Sequence, residues 1–188
     1  MTNICLVRHG QTDWNKEFKI QGRYNIPLND TGKAQILETA KKIKELNINW
    51  DVFYSSPLDR AIETCSIIKD YLNYSNFETI IEDDLIEREF GVADGLHITN
   101  DVYDKILVDG YDGMEKASEI QQRAYNIIMK IAKENPNKNI LIATHSHLIK
   151  ALFTKLDTTL SFKSLLYNGS LNFVYLEDNK ITSFEFNK

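Results

Sequence analysis

Cysteine is scarce in this 188-residue chain, which has only Cys5 and Cys65. No CxxC occurs, so neither a thiol redox motif nor a zinc ribbon is supported. Cys5 lies in an apolar run and Cys65 in a helical pattern. Both are expected as buried thiols that pack as small hydrophobes. Positive charge is not in excess either. Lys and Arg total 22 against 27 Asp and Glu, a formal net charge of −5. A nucleic-acid binder usually shows a basic excess, so nothing favours one. Any anion must be held by local charge against a mildly repulsive background. No apolar run approaches the ~18 residues that a membrane span needs. A strand pattern begins by residue 3, which leaves no room for a signal peptide. The expected location is the cytoplasm, with no membrane partner. There is no internal repeat, no low-complexity linker and no P-loop.

What is present suits a globular domain. Hydrophobic residues make up 43% of the chain, enough for a sizeable core. The length suits one domain over residues 1–188, with a small insertion on the substrate side at about 83–113. Strand and helix patterns alternate. Residues 3–8 read as a buried strand, and residues 9–29 as a long polar loop of the kind that is usually functional. "NDTGKAQILETAKKIKELN" reads as an amphipathic helix burying Ala34, Leu37, Ala40, Ile43 and Leu46. "DVFYSS" is a strand. "PLDRAIETCSIIKDYL" is a helix with Pro57 in its first turn and Leu58, Ala61, Ile62, Cys65 and Ile68 inward. "FETII" is a short extended piece, and "DVYDKIL" a weak helix. "MEKASEIQQRAYNIIMKIAKEN" is a long helix, "NILIAT" a strand and "HLIKALFTKL" a helix. The chain closes with two strands around a turn near Asp178 and Asn179. Such alternation predicts an α/β three-layer sandwich: a mostly parallel, mixed central sheet with helices on both faces.

In open α/β sheets, ligands bind beyond the carboxyl ends of the strands. Arg8 and His9 follow the first strand. Ser55, Ser56 and then Arg60 follow the second. His145, Ser146 and His147 follow "NILIAT". Two guanidiniums and two imidazoles suit a phosphoryl group, because arginine presents a fork to phosphate oxygens. Asn15 could add a neutral donor. An imidazole in such a pocket can attack phosphorus directly.

These stretches carry a resemblance. "LVRHGQTDWN" resembles the signature of the histidine phosphatase superfamily, also called the phosphoglycerate-mutase-like family. "NDTGKAQ", "SSPLDRAIET", "LIEREFG" and "IATHSHLIKAL" resemble its further motifs, in order, from residue 4 to about residue 153. The resemblance implies that His9 is the phosphorylated nucleophile. It implies that Arg8, Arg60 and His145 hold the phosphoryl oxygens with help from Asn15. Glu87 would be the general acid, and Gln21 and Gly22 would approach the substrate. It implies a phosphomonoester hydrolase that needs no metal and no other cofactor. Its substrate would be a small phosphorylated metabolite, such as a sugar phosphate, a phosphoglycerate, a ribazole phosphate or fructose 2,6-bisphosphate. The sequence departs from the family pattern at Ser146, where glycine is usual, and in "VADG" and "YDGMEKAS". Glu89 is a second candidate acid. Three other readings stand beside this one: a metal hydrolase using His145 and His147, a phosphoglycerate mutase, and a non-catalytic phosphoryl-binding module. Residues 96–122 offer only Lys105 and Lys116 as cations, which argues against a mutase that must grip a second anion. The oligomeric state is not legible.

Overall fold

The computed structural model describes residues 1–188. Four strands are parallel: β1 (Thr2–Arg8), β2 (Val52–Ser55), β3 (Thr79–Ile81) and β4 (Asn139–Thr144). β5 (Leu171–Glu177) and β6 (Lys180–Glu185) run antiparallel to their neighbours. The order β3-β2-β4-β1-β5-β6 makes one mixed sheet. β1 and β4 sit at its centre, so they are apolar on both faces. Alternation along β1 splits its side chains between two cores. Ile4 and Leu6 pack with α5 (Ala117–Glu134) and α6 (Ser146–Leu156). Cys5 and Val7 pack with α2 (Asp30–Glu45) and α3 (Asp59–Tyr71). The expected three layers are therefore present. Both cysteines are free and buried. Burial raises both thiols, Cys65 to about 11, which keeps them protonated and inert.

Two helix faces differ from expectation. In α2 the buried positions are Gly32, Ile36, Thr39, Ala40 and Ile43. Ala34, Leu37 and Leu46 are exposed. Strict three-residue spacing drifts around a 3.6-residue helix, whereas steps of three and four stay on one face. In α3, Ile62 is exposed and Pro57 lies before the helix, whose first residue is Asp59. The hairpin between β5 and β6 turns at Asp178 and Asn179, which have φ of 48° and 58°. Asp and Asn tolerate that left-handed pair, so the two-residue turn follows from its residues.

Two irregular segments cover the carboxyl end of the sheet. The loop after β1 holds the four-residue α1 (Asp13–Lys16), capped by Thr12 and Asn15. The segment after β3 holds two single 3₁₀ turns and α4 (Asn100–Leu107). Ile20, Phe90, Ala93 and Ile106 form a small core that joins them. Backbone bonds from Ile20 N–H to Leu96 O (2.9 Å) and from Gly95 N–H to Ile20 O (2.8 Å) complete the link. No helix is long and apolar enough to cross a membrane.

Candidate active site

β2, β4 and β1 are consecutive in the sheet. Their carboxyl ends therefore bring Arg8, His9, Arg60 and His145 together. Arg8 ends β1, and the His9 amide donates to Thr144 O at 3.0 Å. The chain then passes close to the start of α2. A Cβ on Gly32 would collide with the backbone of Gln11, and one on Gly10 with the Gly32 carbonyl. Paired glycines let the two backbones touch. Asn168 Nδ2 donates to His9 O at 2.9 Å and holds the same turn from the other side.

His9 is 3% exposed. Its Nδ1 lies 2.7 Å from Gly10 O, and Arg60 Nε lies 3.2 Å from its Nε2. Nδ1–H therefore donates to the carbonyl, and Nε2 keeps a lone pair facing the guanidinium. Burial, then the charges of Arg60 and Arg8, hold His9 well below the usual 6.5. The ring is neutral. Arg60 is wholly buried and also donates to Tyr24 O (2.6 Å) and Gly22 O (2.8 Å). Arg8 donates through Nη1 to Leu166 O, and its Nε has no partner in the chain. Burial lowers both arginines to about 10, so both remain cations at neutral pH. The His145 ring meets that of His9 edge-on at 5.2 Å. Its Nε2 is 2.6 Å from Ser56 Oγ, and its Nδ1 is unpartnered.

A cavity of about 380 Å³ opens onto this floor. Arg8, His9, Asn15, Gln21, Gly22, Arg60 and Glu87 all line it, and His145 supports it from beneath. Asn15 belongs to the α1 cap, and Gln21 Oε1 accepts from Thr12 Oγ1 at 2.9 Å. Glu87 is 6% exposed. Its carboxylate accepts from the His147 amide at 3.1 and 3.3 Å, in the first turn of α6, where a helix favours negative charge. From α5, Arg123 grips the carbonyls of Asp84 (2.7 Å) and Ile86 (2.8 Å) and so fixes the segment that carries Glu87. Glu89 is elsewhere. It faces Arg23 at 3.6 Å beside Asp94, and it does not line the cavity. Burial and then the Glu89 charge raise the Asp94 carboxyl to about 7.

The sequence readings of histidine divide here. His147 is buried among Phe90, Phe162 and Tyr103, with ring distances of 4.9, 5.1 and 6.2 Å. It lines the cavity from this aromatic wall, whereas His145 lies beneath the floor against His9. His97 is exposed and bonds Glu17 O. No group of three or more His, Cys, Asp or Glu is gathered that could hold a metal ion. The cation reading also changes. Lys105 lies over Tyr111 at 4.3 Å and Lys116 caps α5, and neither lines the cavity. Instead Lys19, Lys150 and Lys163 line it, all from outside residues 96–122. Tyr103 and Leu166 also escaped sequence reasoning. For Lys150 a signal existed: it is the one cation inside the apolar run Leu148–Phe153.

The arrangement places a neutral imidazole beside two cations, with a carboxyl also on the cavity wall. That set can bind a phosphoryl group, attack it and protonate a leaving oxygen. The comparisons agree in kind. The family model described as "Histidine phosphatase superfamily (branch 1)" matches residues 4–188. The chain is 40% identical over 160 residues to the uncharacterized phosphatase PhoE of Bacillus subtilis, covering 84% of this chain and 78% of that protein. It is 30% identical over 191 residues to a metal-independent phosphoserine phosphatase of Arabidopsis thaliana, covering 96% and 79%. A crystal structure of a phosphoserine phosphatase mutant from Entamoeba histolytica, in complex with phosphoserine, superposes with a TM-score of 0.81. The identity there is 28%, with 98% of this chain and 96% of that one covered.

Proposed function

The chain belongs to the histidine phosphatase superfamily and is a phosphatase of it, and from that membership we propose that it hydrolyses small phosphomonoesters through a phosphohistidine on His9. The observation that carries this reading is the pair of contacts made by the His9 ring: Nδ1 lies against Gly10 O, which can only accept, so Nε2 is left unprotonated facing Arg60 Nε. Nε2 attacks phosphorus, and the bond from phosphorus to the ester oxygen breaks. Arg60 shifts its Nε donor from Nε2 to a phosphoryl oxygen, and Arg8 supplies its unpartnered Nε. The charge that develops on the three equatorial oxygens is met by these fixed cations. The ester binds as its monoanion and passes its phosphoryl proton to Glu87, which gives it to the leaving oxygen. Glu87 then takes a proton from water, which attacks the phosphohistidine and releases phosphate.

Gln21 and Asn15 orient the ester from the wall, and the Gly22 backbone approaches it. The electrostatic work falls to the two arginines, so turnover should survive EDTA. Loss on chelation, restored by zinc or magnesium, would revive the metal reading. The direct test is the intermediate. A phosphate-labelled ester, quenched in alkali, should leave acid-labile label on the peptide containing His9. His9→Ala should abolish both label and turnover while keeping the fold by circular dichroism. Label on another residue, or more than a trace of turnover in His9→Ala, would overturn the assignment.

A further inference from the structure

Lys150 is a cation of the cavity that the hydrolytic steps above do not use. It lies in α6, one turn beyond Ser146, and is 9% exposed. Its Nζ donates to Phe162 O at 2.9 Å and to nothing else in the chain. No carboxylate pairs with it, although an ammonium carries three donors. Burying an unpaired charge is costly unless a partner arrives. The other lysines show what a satisfied one looks like. Lys69 is also buried, but it bonds both Phe77 O and Thr79 Oγ1. Lys19 and Lys163, at the rim, are paired with Glu17 (2.6 Å) and Asp104 (2.9 Å). The cavity that Lys150 lines also carries Phe90, Tyr103, Ile106 and Leu166. Burial and the Arg8 charge lower its ammonium to about 8, opposed by Glu87. It therefore remains charged at neutral pH.

We propose that Lys150 determines specificity by binding a second anionic group of the substrate, a carboxylate close to the phosphate ester. This deepens the phosphomonoesterase reading and rests on it. A carboxylate fits better than a second phosphoryl group. One ammonium is a point charge suited to a monoanion, whereas a phosphate dianion calls for an arginine fork or several cations. At about 380 Å³ the cavity lies at the small end of ligand sites, which favours two anions few bonds apart.

The test compares wild type, Lys150→Met and Lys150→Arg on four esters: 3-phosphoglycerate, glycerol 1-phosphate, fructose 1,6-bisphosphate and p-nitrophenyl phosphate. Lys150→Met should raise KM for 3-phosphoglycerate roughly tenfold or more, the scale of a charge-assisted hydrogen bond. Its kcat and KM for p-nitrophenyl phosphate and glycerol 1-phosphate should stay within about twofold of wild type, a discrimination that a merely structural role would not give. Lys150→Arg should restore part of the loss. Equal losses on all four esters would overturn the proposal. So would a loss confined to the bisphosphate, which would move the second anion to phosphate. If wild type releases no phosphate from any ester, the hydrolytic reading fails. Calorimetric binding of 3-phosphoglycerate to wild type and Lys150→Met then decides the lysine: tenfold weaker binding in the variant upholds it, and equal binding sinks it.

Discussion

Glu87 and Glu89 stand two residues apart, and in an extended segment they would share a face. The backbone from Leu85 to Phe90 is not a regular strand, so they part. Glu87 meets the first turn of α6 at the cavity wall, and Glu89 joins Arg23 and Asp94 outside it. A general acid matters most when the leaving group is poor, and is worth about 10²–10⁴-fold there. Glu87→Gln should therefore cut kcat on an alkyl phosphate by that order while sparing p-nitrophenyl phosphate far more. Glu89→Gln should be nearly silent on both. Steady-state kinetics of the two variants on the two esters makes the comparison. Equal losses with both leaving groups in Glu87→Gln would move the acid to another carboxylate.

At the scale of elements, α2 shows how a helix can serve a site it does not line. Its N-cap Asn29 accepts from the Gly32 amide at 2.8 Å, which sets where the helix begins. Gly32 then lies under the loop that leaves His9. Glycine in a helix normally costs ~1 kcal/mol relative to alanine. Here the propensity gain loses to a collision with the Gln11 backbone, which cannot swing aside as a side chain could. Overpacking of this kind costs roughly 1–3 kcal/mol. Gly32→Ala is expected to lower the urea midpoint and to depress kcat/KM, because the displaced loop also carries Asn15. A variant more stable than wild type would show that the loop yields freely. Thr39 on the same face donates to Gly169 O at 2.9 Å, while the apolar Leu37 and Leu46 stay exposed because they fall off the 3.6-residue stripe of Gly32, Ile36, Ala40 and Ile43.

For the whole molecule, acid should be destabilising well before ordinary carboxylates titrate. His9, His145 and His147 are each held well below 6.5 in the fold, first by burial. The unfolded chain protonates all three near 6.5, so their contribution is complete above that pH and is lost as pH falls. Each adds a slope of about 1.4 kcal/mol per pH unit once the unfolded form is protonated. Asp94 acts with the opposite sign. Raised to about 7, it keeps a proton that the unfolded chain releases down to 3.8, so it gains stability on acidification. Three groups against one leave a net loss. Urea unfolding at pH 7.5, 6 and 5 should show stability falling steeply between the last two, and His147→Phe should flatten the slope. Constant or rising stability over that interval would refute the account.

The chain determined a great deal locally. Alternation along β1, the Asp178–Asn179 turn and the apolar strand "NILIAT" depend on neighbours in sequence, and such patterns survive without knowledge of the fold. The rule that polar residues end parallel strands was enough to gather Arg8, His9, Arg60 and His145 as candidates. Only the tertiary structure decided what required distance across the fold. It separated His147 from His145 although one residue divides them, because the helix starting at Ser146 turns the second ring into an aromatic cluster. It put Glu87, and not Glu89, on the cavity wall, held by a helix amide 60 positions further along the chain. It delivered Lys150 to the cavity, whereas Lys105 and Lys116, the cations that residues 96–122 offer, do not line it. Sequence spacing sets which residues share a strand or a helical turn. Which of them share a cavity is set by the packing of elements far apart in the chain, and no local period encodes it.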